Sequence, residues 1–450
     1  MREGAKRPNV VVFFTDQQRW DTTGVHGHPG GLTPEFDAMA REGTHVARSF
    51  TVQPVCGPAR ACLQTGLHGT EHGSFTNGVH LDPDVPTLGD RFAEAGYDTA
   101  YVGKWHLASR DPVPEAERGG YATWRAANVL EFTSDAYATT VFDEDGRPRH
   151  LPGYRVDALA DEAIRYLAEP REAPFFLFTS FLEPHHQNHR DDYPAPRGYA
   201  ARYADAWRPP DLEALVGSAP RHLAGYYGMV KRLDEALGRV RDALRSLDLE
   251  RDTVVLFTSD HGNHFKTRND EYKRSCHEAS IRVPTALVGP GFDGGGRIET
   301  LVGIPDLTAT LLDVAGIAPP PGIRGTSLRD PALRARAGTD ADELFVQISE
   351  DVVGRALRTR RWKYGVDAPD ADPTGDPGAE RYEERFLYDL EADPYELENL
   401  AGLDAFADVA ADLRARLVAH VEAVEGRTPT IVPAASRPAV QRSPDLPTYP

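Results

Sequence analysis

The sequence predicts an α/β protein. A large domain carries a mixed, mostly parallel sheet sandwiched by helices, and a small α+β domain with a short antiparallel sheet follows it. Three continuous apolar runs carry the first part of that expectation: Val10 to Phe14, Phe175 to Thr179 and Thr253 to Thr258. Rich in β-branched and aromatic residues and without polar alternation, they read as strands buried on both faces. Helical patterns lie between them at Pro86 to Ala95, Val156 to Ala168 and Leu223 to Leu247. Strands that alternate with helices are the pattern of a parallel sheet covered on both sides.

The later elements follow in order. Val283 to Val288 is a weaker strand, and Ile304 to Gly316 reads as a helix that ends before the turn-forming stretch Ala318 to Ile323. A charged connector runs to about Asp342. Phe345 to Ser349, Ala356 to Thr359 and Trp362 to Val366 then read as short antiparallel strands, and Val409 to Val424 as a closing helix. The domain boundary is placed near residue 335, giving units 1–335 and 336–450. Asp367 to Glu380, acidic and rich in Pro and Gly, reads as a surface loop. The proline-rich tail after Thr428 is expected to wrap the surface or stay disordered.

Composition narrows the partners. The net charge of −19 speaks against nucleic acid, and an anionic small molecule would need a local basic pocket. Three cysteines, Cys56, Cys62 and Cys276, form no disulfide framework. The apolar run after the basic start is too short for a signal peptide, and no stretch reaches membrane-spanning length. The chain is therefore expected to be soluble and cytoplasmic, with no membrane partner.

Asp16-Gln17 and Asp260-His261 each fall just past the end of a buried strand. Ligands of open α/β sheets bind beyond the carboxyl ends of strands, so the two pairs together form a candidate cage for a hard divalent cation. A lone Asp at such a place would usually be a turn former.

Five blocks then recur in one order. Cys56-Gly57-Pro58-Ala59-Arg60, continued by a helical stretch to Thr65-Gly66, has the form C-x-P-x-R…T-G. Around it stand Phe13 to Arg19, Gly103-Lys104-Trp105-His106-Leu107, Thr258-Ser259-Asp260-His261-Gly262, and Tyr388-Asp389-Leu390 with Asp393-Pro394, Glu396, Asn399 and Leu400. Together they resemble the type I, formylglycine-dependent sulfatases of the alkaline phosphatase-like superfamily. The likeness runs from about residue 9 to residue 400.

That resemblance implies hydrolysis of a sulfate ester, of a small molecule or an oligosaccharide. A formylglycine-generating enzyme would first oxidise Cys56 to formylglycine. Its hydrate offers two hydroxyls, one to attack sulfur and one to expel sulfate afterwards. The metal set implied is Asp16, Gln17, residue 56, Asp260 and His261. Arg60 contacts the modified residue, Lys104 holds it and the leaving group, and His106 is the base of the second step. His185 of Ser180-Phe181-Leu182-Glu183-Pro184-His185, with Lys273, protonates the leaving alkoxide. Lys273 is preferred to Lys266 on spacing from His277-Glu278.

Two positions depart from the commoner pattern: Gln17 replaces a carboxylate and His261 replaces an amide. Calcium remains the expected ion, with manganese or another divalent metal as the alternative that an imidazole ligand favours. The same variant resembles phosphonate monoester and phosphodiester hydrolases, which stand as one rival reading. An unmaturated protein that merely binds sulfated glycans is the other. The run Asn263 to Arg268 reads equally as a solvated loop or a substrate-reading one. His277 is a subsite candidate, and Cys62 and Cys276 read as packing residues.

Overall fold

The computed structural model describes residues 7–437. The first strands are β1 Asn9–Thr15, β2 Thr44–Phe50, β3 Asp98–Lys104, β4 Thr123–Ala127, β5 Thr139–Phe142 and β6 Pro148–Leu151. After them come β7 Phe175–Ser180, β8 Thr253–Ser259, β9 Arg282–Val288, β10 Gly296–Ile298 and β11 Val302–Gly303. They form one 11-stranded sheet in the order β10-β2-β9-β8-β1-β7-β3-β4-β5-β6, with β11 also paired to β2. Its centre, β8-β1-β7-β3-β4, is parallel, while β9 runs antiparallel to both β2 and β8.

Every residue of β1, β7 and β8 is buried, because helices cover both faces. Alternate side chains of β1 serve the two faces. Val11 and Phe13 pack with Val156, Leu159 and Ala163 of the helix Arg155–Ala168 and with Leu233, Leu237 and Val240 of the helix Ala219–Ser246. Val10, Val12 and Phe14 pack with Leu63 of the helix Cys56–Thr65, Phe92 of the helix Leu88–Glu94, and Leu307 and Leu311 of the helix Ile304–Val314.

The second sheet begins at Glu343: β12 Glu343–Ile348, β13 Val353–Thr359, β14 Trp362–Ala368, β15 Arg381–Asp389 and β16 Thr430–Val432. The first four strands are antiparallel neighbours in chain order. The helix Ala407–Glu425 buries Leu413, Leu417 and Val421 against Leu357, Tyr364 and Leu387.

The structure corrects the reading of the tail. Thr430–Val432 is a strand running parallel to β15, and Ile431 joins the small core. The chain's start, 1–6, and the remainder of the proline-rich tail, 438–450, lie outside the described residues. Among the described residues no helix is long and apolar enough to cross a membrane.

Candidate active site

Strand register builds the site. Thr15 pairs with Ser259 across β1 and β8, so the next residues, Asp16 and Asp260, leave the sheet side by side. On the other side of β1, Phe14 pairs with Ser180, and Ser180 pairs with Gly103 of β3. Lys104, the last residue of β3, therefore ends level with them. Gly103 has φ +107°, and a Cβ there would stand 1.9 Å from the Ser180 carbonyl oxygen. A side chain at 103 would push β3 away from β7 and carry Lys104 with it.

Gln17 takes a left-handed turn, φ +68°, and donates its backbone N–H to Asp260 Oδ1 at 2.9 Å. The His261 N–H donates to the same oxygen at 2.8 Å. His261 Nδ1 faces the Gly262 carbonyl at 2.9 Å, which places the ring proton there and leaves Nε2 as the lone-pair nitrogen. That nitrogen lies 3.7 Å from Asp16 Oδ1 and 3.6 Å from Asp260 Oδ1.

Ligand atoms of Asp16, Cys56, Asp260 and His261 all lie within 4.8 Å of one another, and all four residues are buried. Gln17 Oε1 is buried and has no hydrogen-bond partner among the described residues, while its Nε2 donates to the Tyr193 hydroxyl at 3.2 Å. Two carboxylates, an amide oxygen awaiting a partner and an imidazole lone pair are a donor set that fits a divalent cation.

Cys56 opens the helix Cys56–Thr65, whose N-terminus favours negative charge. Lys273 Nζ lies 2.6 Å from its Sγ, and His261 Nε2 lies 3.2 Å away. Burial pushes the Cys56 thiol up, but the charges of Lys273 and Lys104, with the His261 and His106 rings beside it, outweigh it. They hold the thiol well below its usual range. The sulfur marks where the oxygens of a modified residue 56 would lie.

Arg60, one turn along that helix, donates through Nη1 to the Lys104 carbonyl at 2.8 Å and to Ser180 Oγ at 2.7 Å. Through Nη2 it reaches Asp16 Oδ2 at 3.0 Å and Asp260 Oδ2 at 3.2 Å. Lys104 Nζ is held between Asp16 Oδ2 and Glu131 Oε1, both at 2.8 Å. Burial alone would lower the Lys104 pKa; the two carboxylates raise it above the ordinary ammonium value.

His106 has φ +62°, and its Nδ1 is buried without a partner among the described residues. His185 Nε2 stands 3.2 Å from Lys273 Nζ, and its Nδ1 meets the His186 carbonyl at 2.6 Å. Lys266 points elsewhere, to Asp191 at 3.5 Å and over the Tyr272 ring at 4.7 Å. The structure thus brings Asp16, Gln17, Cys56, Arg60, Lys104, His106, His185, Asp260, His261 and Lys273 to one place.

Other readings change. Asn263, His264 and Phe265 are fully buried, so the first half of that run is no solvated loop. Asn263 Nδ2 donates to the Tyr193 hydroxyl at 2.9 Å, which steadies the phenol that holds Gln17. His277 is no subsite residue: it is buried, stacks edge-on to Phe386 and meets the Tyr388 hydroxyl at 3.2 Å. Cys62 and Cys276 are buried packing residues, and burial pushes the Cys276 thiol up to about 12.

A family model described as Sulfatase matches residues 8–317. The chain belongs to the sulfatase family. An ulvan-active sulfatase of Formosa agariphila is 30% identical over 435 residues, covering 91% of this chain and 80% of that one. An N-acetylglucosamine-6-O-sulfatase of Bacteroides thetaiotaomicron is 26% identical, covering 90% and 85%. The crystal structure of yidJ from Bacteroides fragilis superposes with a TM-score of 0.81 at 24% identity, over 94% of this chain and 97% of that one, and shows the shared fold. The protein is thus a sulfatase, a sulfuric ester hydrolase, and the binding-protein alternative falls away.

Sequence reasoning missed Glu131 in this sulfatase. It lies in the short helix Leu130–Thr133 beyond β4, a strand the apolar pattern did not reveal. Burial pushes its carboxyl up most strongly, but Lys104 together with the nearby His106 and His185 rings outweighs that and lowers its pKa to about 2. Its only sequence signal is an acid in the apolar run Val129-Leu130-Glu131-Phe132. Glu131→Gln leaves Lys104 with Asp16 alone, so kcat should fall roughly 10- to 100-fold from misplacement of the ammonium. A steady-state measurement showing an unchanged kcat would remove Glu131 from the site.

Proposed function

We propose that the sulfatase hydrolyses the sulfate ester of a carbohydrate alcohol, with residue 56 acting as formylglycine beside a divalent ion, calcium being favoured. The observation that carries this reading is the cluster around Cys56: a lysine at 2.6 Å, a second lysine and an arginine on Asp16, and a cage of Asp and His donors. The carbohydrate substrate is supported by the relatives named for ulvan and N-acetylglucosamine.

When bound by Asp16, Gln17, Asp260 and His261, a divalent ion supplies Lewis-acid charge for the sulfuryl group. The hydrated aldehyde at position 56 supplies one hydroxyl to attack sulfur and a second to expel sulfate. Arg60, Lys104 and Lys273 surround that point with positive charge fixed in advance, which favours an anionic transition state. Lys273, with His185 against it, gives a proton to the departing alkoxide as its bond to sulfur breaks. His106 then takes the proton of the remaining hydroxyl while sulfate leaves. Cys56 is only 1% exposed, so a formylglycine-generating enzyme would have to reach it before the chain folds.

The deciding experiment is turnover of sulfated monosaccharides, each regioisomer separately, beside phenyl sulfate and a phenyl phosphonate monoester. Preference for the phosphonate would transfer the reading to the phosphonate hydrolases. For the cage, chelation should abolish turnover. Asp260→Asn should cost at least about two orders of magnitude in rate, since Asp260 Oδ1 already accepts two backbone N–H groups. Full activity of metal-free protein would rule the cage out.

A further inference from the structure

Glu350 belongs to the small sheet, in the turn between β12 and β13, yet its side chain reaches the large domain. Its backbone is left-handed, φ +69°, and its side chain is only 9% exposed. A non-glycine residue in this region persists only where its surroundings over-determine it, and such residues cluster at functional sites. Its N–H is fixed to the Pro373 carbonyl at 2.8 Å.

The carboxylate divides its two oxygens between two loops. Oε1 accepts the Asn77 backbone N–H at 2.5 Å, and Oε2 accepts Asn77 Nδ2 at 3.4 Å. Asn77 Oδ1 in turn accepts the Gly57 N–H at 2.9 Å, directly behind Cys56. Oε2 also meets Arg274 Nη2 at 2.5 Å. Arg274 follows Lys273, is itself left-handed with φ +67°, and donates its N–H to the Pro54 carbonyl at 3.2 Å, two residues before Cys56. One buried anion thus joins the first turn of the nucleophile helix to the strained loop that presents Lys273. The next bond in the chain is the 2.6 Å approach of Lys273 Nζ to Cys56 Sγ.

We propose that Glu350 is a positioning residue that sets the separation of the nucleophile at position 56 from the acid Lys273, making the small domain a working part of the active site. A mere tie between domains would not need to touch the neighbours of both groups. The bridge transmits geometry: Asn77 fixes the helix start and Arg274 fixes the lysine, both from the same carboxylate. This inference rests on Lys273 protonating the leaving group, as proposed above.

The test uses a leaving-group series on the matured enzyme: p-nitrophenyl, phenyl and p-methoxyphenyl sulfate. A good leaving group departs without a proton, and a poor one needs the acid. Lys273→Ala is the reference, and its loss should grow steeply from p-nitrophenyl to p-methoxyphenyl sulfate. Equal losses across that series would defeat the acid assignment itself, whatever Glu350 does. Glu350→Ala should reproduce the slope of Lys273→Ala in milder form. The expected loss is about threefold on p-nitrophenyl sulfate, rising to roughly 10- to 100-fold on p-methoxyphenyl sulfate. In the double variant the Glu350 change should add little to the lysine loss. Arg274→Met breaks the bridge from its other end and serves where Glu350→Ala fails to fold. Losses independent of leaving group, or fully additive with Lys273→Ala, would overturn the inference and reduce Glu350 to a structural contact.

Discussion

Cys56→Ser is expected to leave no steady turnover. A serine hydroxyl would occupy the same place, with Lys273 at one side, His261 at another and the helix N-terminus behind it. It could attack sulfur once. The sulfated serine would then be trapped, because its Cβ carries no second hydroxyl to expel sulfate. Loss of a covalent nucleophile commonly costs on the order of 10⁴ to 10⁶ in kcat, and a loss in that range is expected here. Two measurements check it. Intact mass of the active wild type should lie about 18 Da below the unmodified chain, the difference between a thiol side chain and an aldehyde. Peptide mapping of the serine variant after exposure to substrate should find sulfate on residue 56. A serine variant turning over like the wild type would remove the two-hydroxyl scheme.

The centre of the sheet was legible because its strands are buried on both faces, so sequence and burial coincide. Val10 to Phe14 and Thr253 to Thr258 each fell within a residue or two of β1 and β8. From there the pairing of Asp16 with Asp260 follows once the strands are neighbours. Position on the strands did not reveal β2 or β3. β2 reads Thr44-His45-Val46-Ala47-Arg48-Ser49-Phe50, with a histidine and an arginine in a strand near the sheet edge. β3 begins at Asp98 and ends at Lys104. Lys104 is fully buried only because Asp16 and Glu131 neutralise it there. Short-range pattern cannot anticipate such partners.

The same reason hid Glu131, Asn77 and Glu350. Glu350 is 273 residues from Asn77, and no periodicity links positions so far apart. β15 was missed because charged side chains interrupt it: Tyr382, Leu387 and Tyr388 are buried while Arg381 and Arg385 are exposed. The ordered motifs pointed to the residues that the structure gathers around Cys56, since those residues carry recognisable chemistry. The groups that hold them in place are ordinary acids and amides, recognisable only by contact.

His106→Ala is expected to separate the two halves of the reaction. His106 follows Lys104 by two residues, its φ of +62° turns the chain, and its backbone N–H is anchored to the Asn128 carbonyl at 2.7 Å. The ring borders residue 56, whose thiol it helps to hold low, and Nδ1 is buried with no partner among the described residues. The ring is therefore placed to take a proton from a hydroxyl on residue 56. Lys273 and His185, the groups assigned to the leaving alkoxide, lie on different loops and contact each other at 3.2 Å. Removing His106 should leave their step largely intact. Alcohol should then appear in a burst roughly stoichiometric with enzyme, followed by a steady rate lower by about 10² to 10⁴, the usual contribution of a positioned base. Acid-quenched enzyme should carry a sulfuryl group on the peptide containing residue 56. If His106 instead serves the first step, or only orients Lys104, the variant will be slow from its first turnover and the peptide will carry no adduct. That outcome would move the second proton transfer to another base while leaving the first step with Lys273.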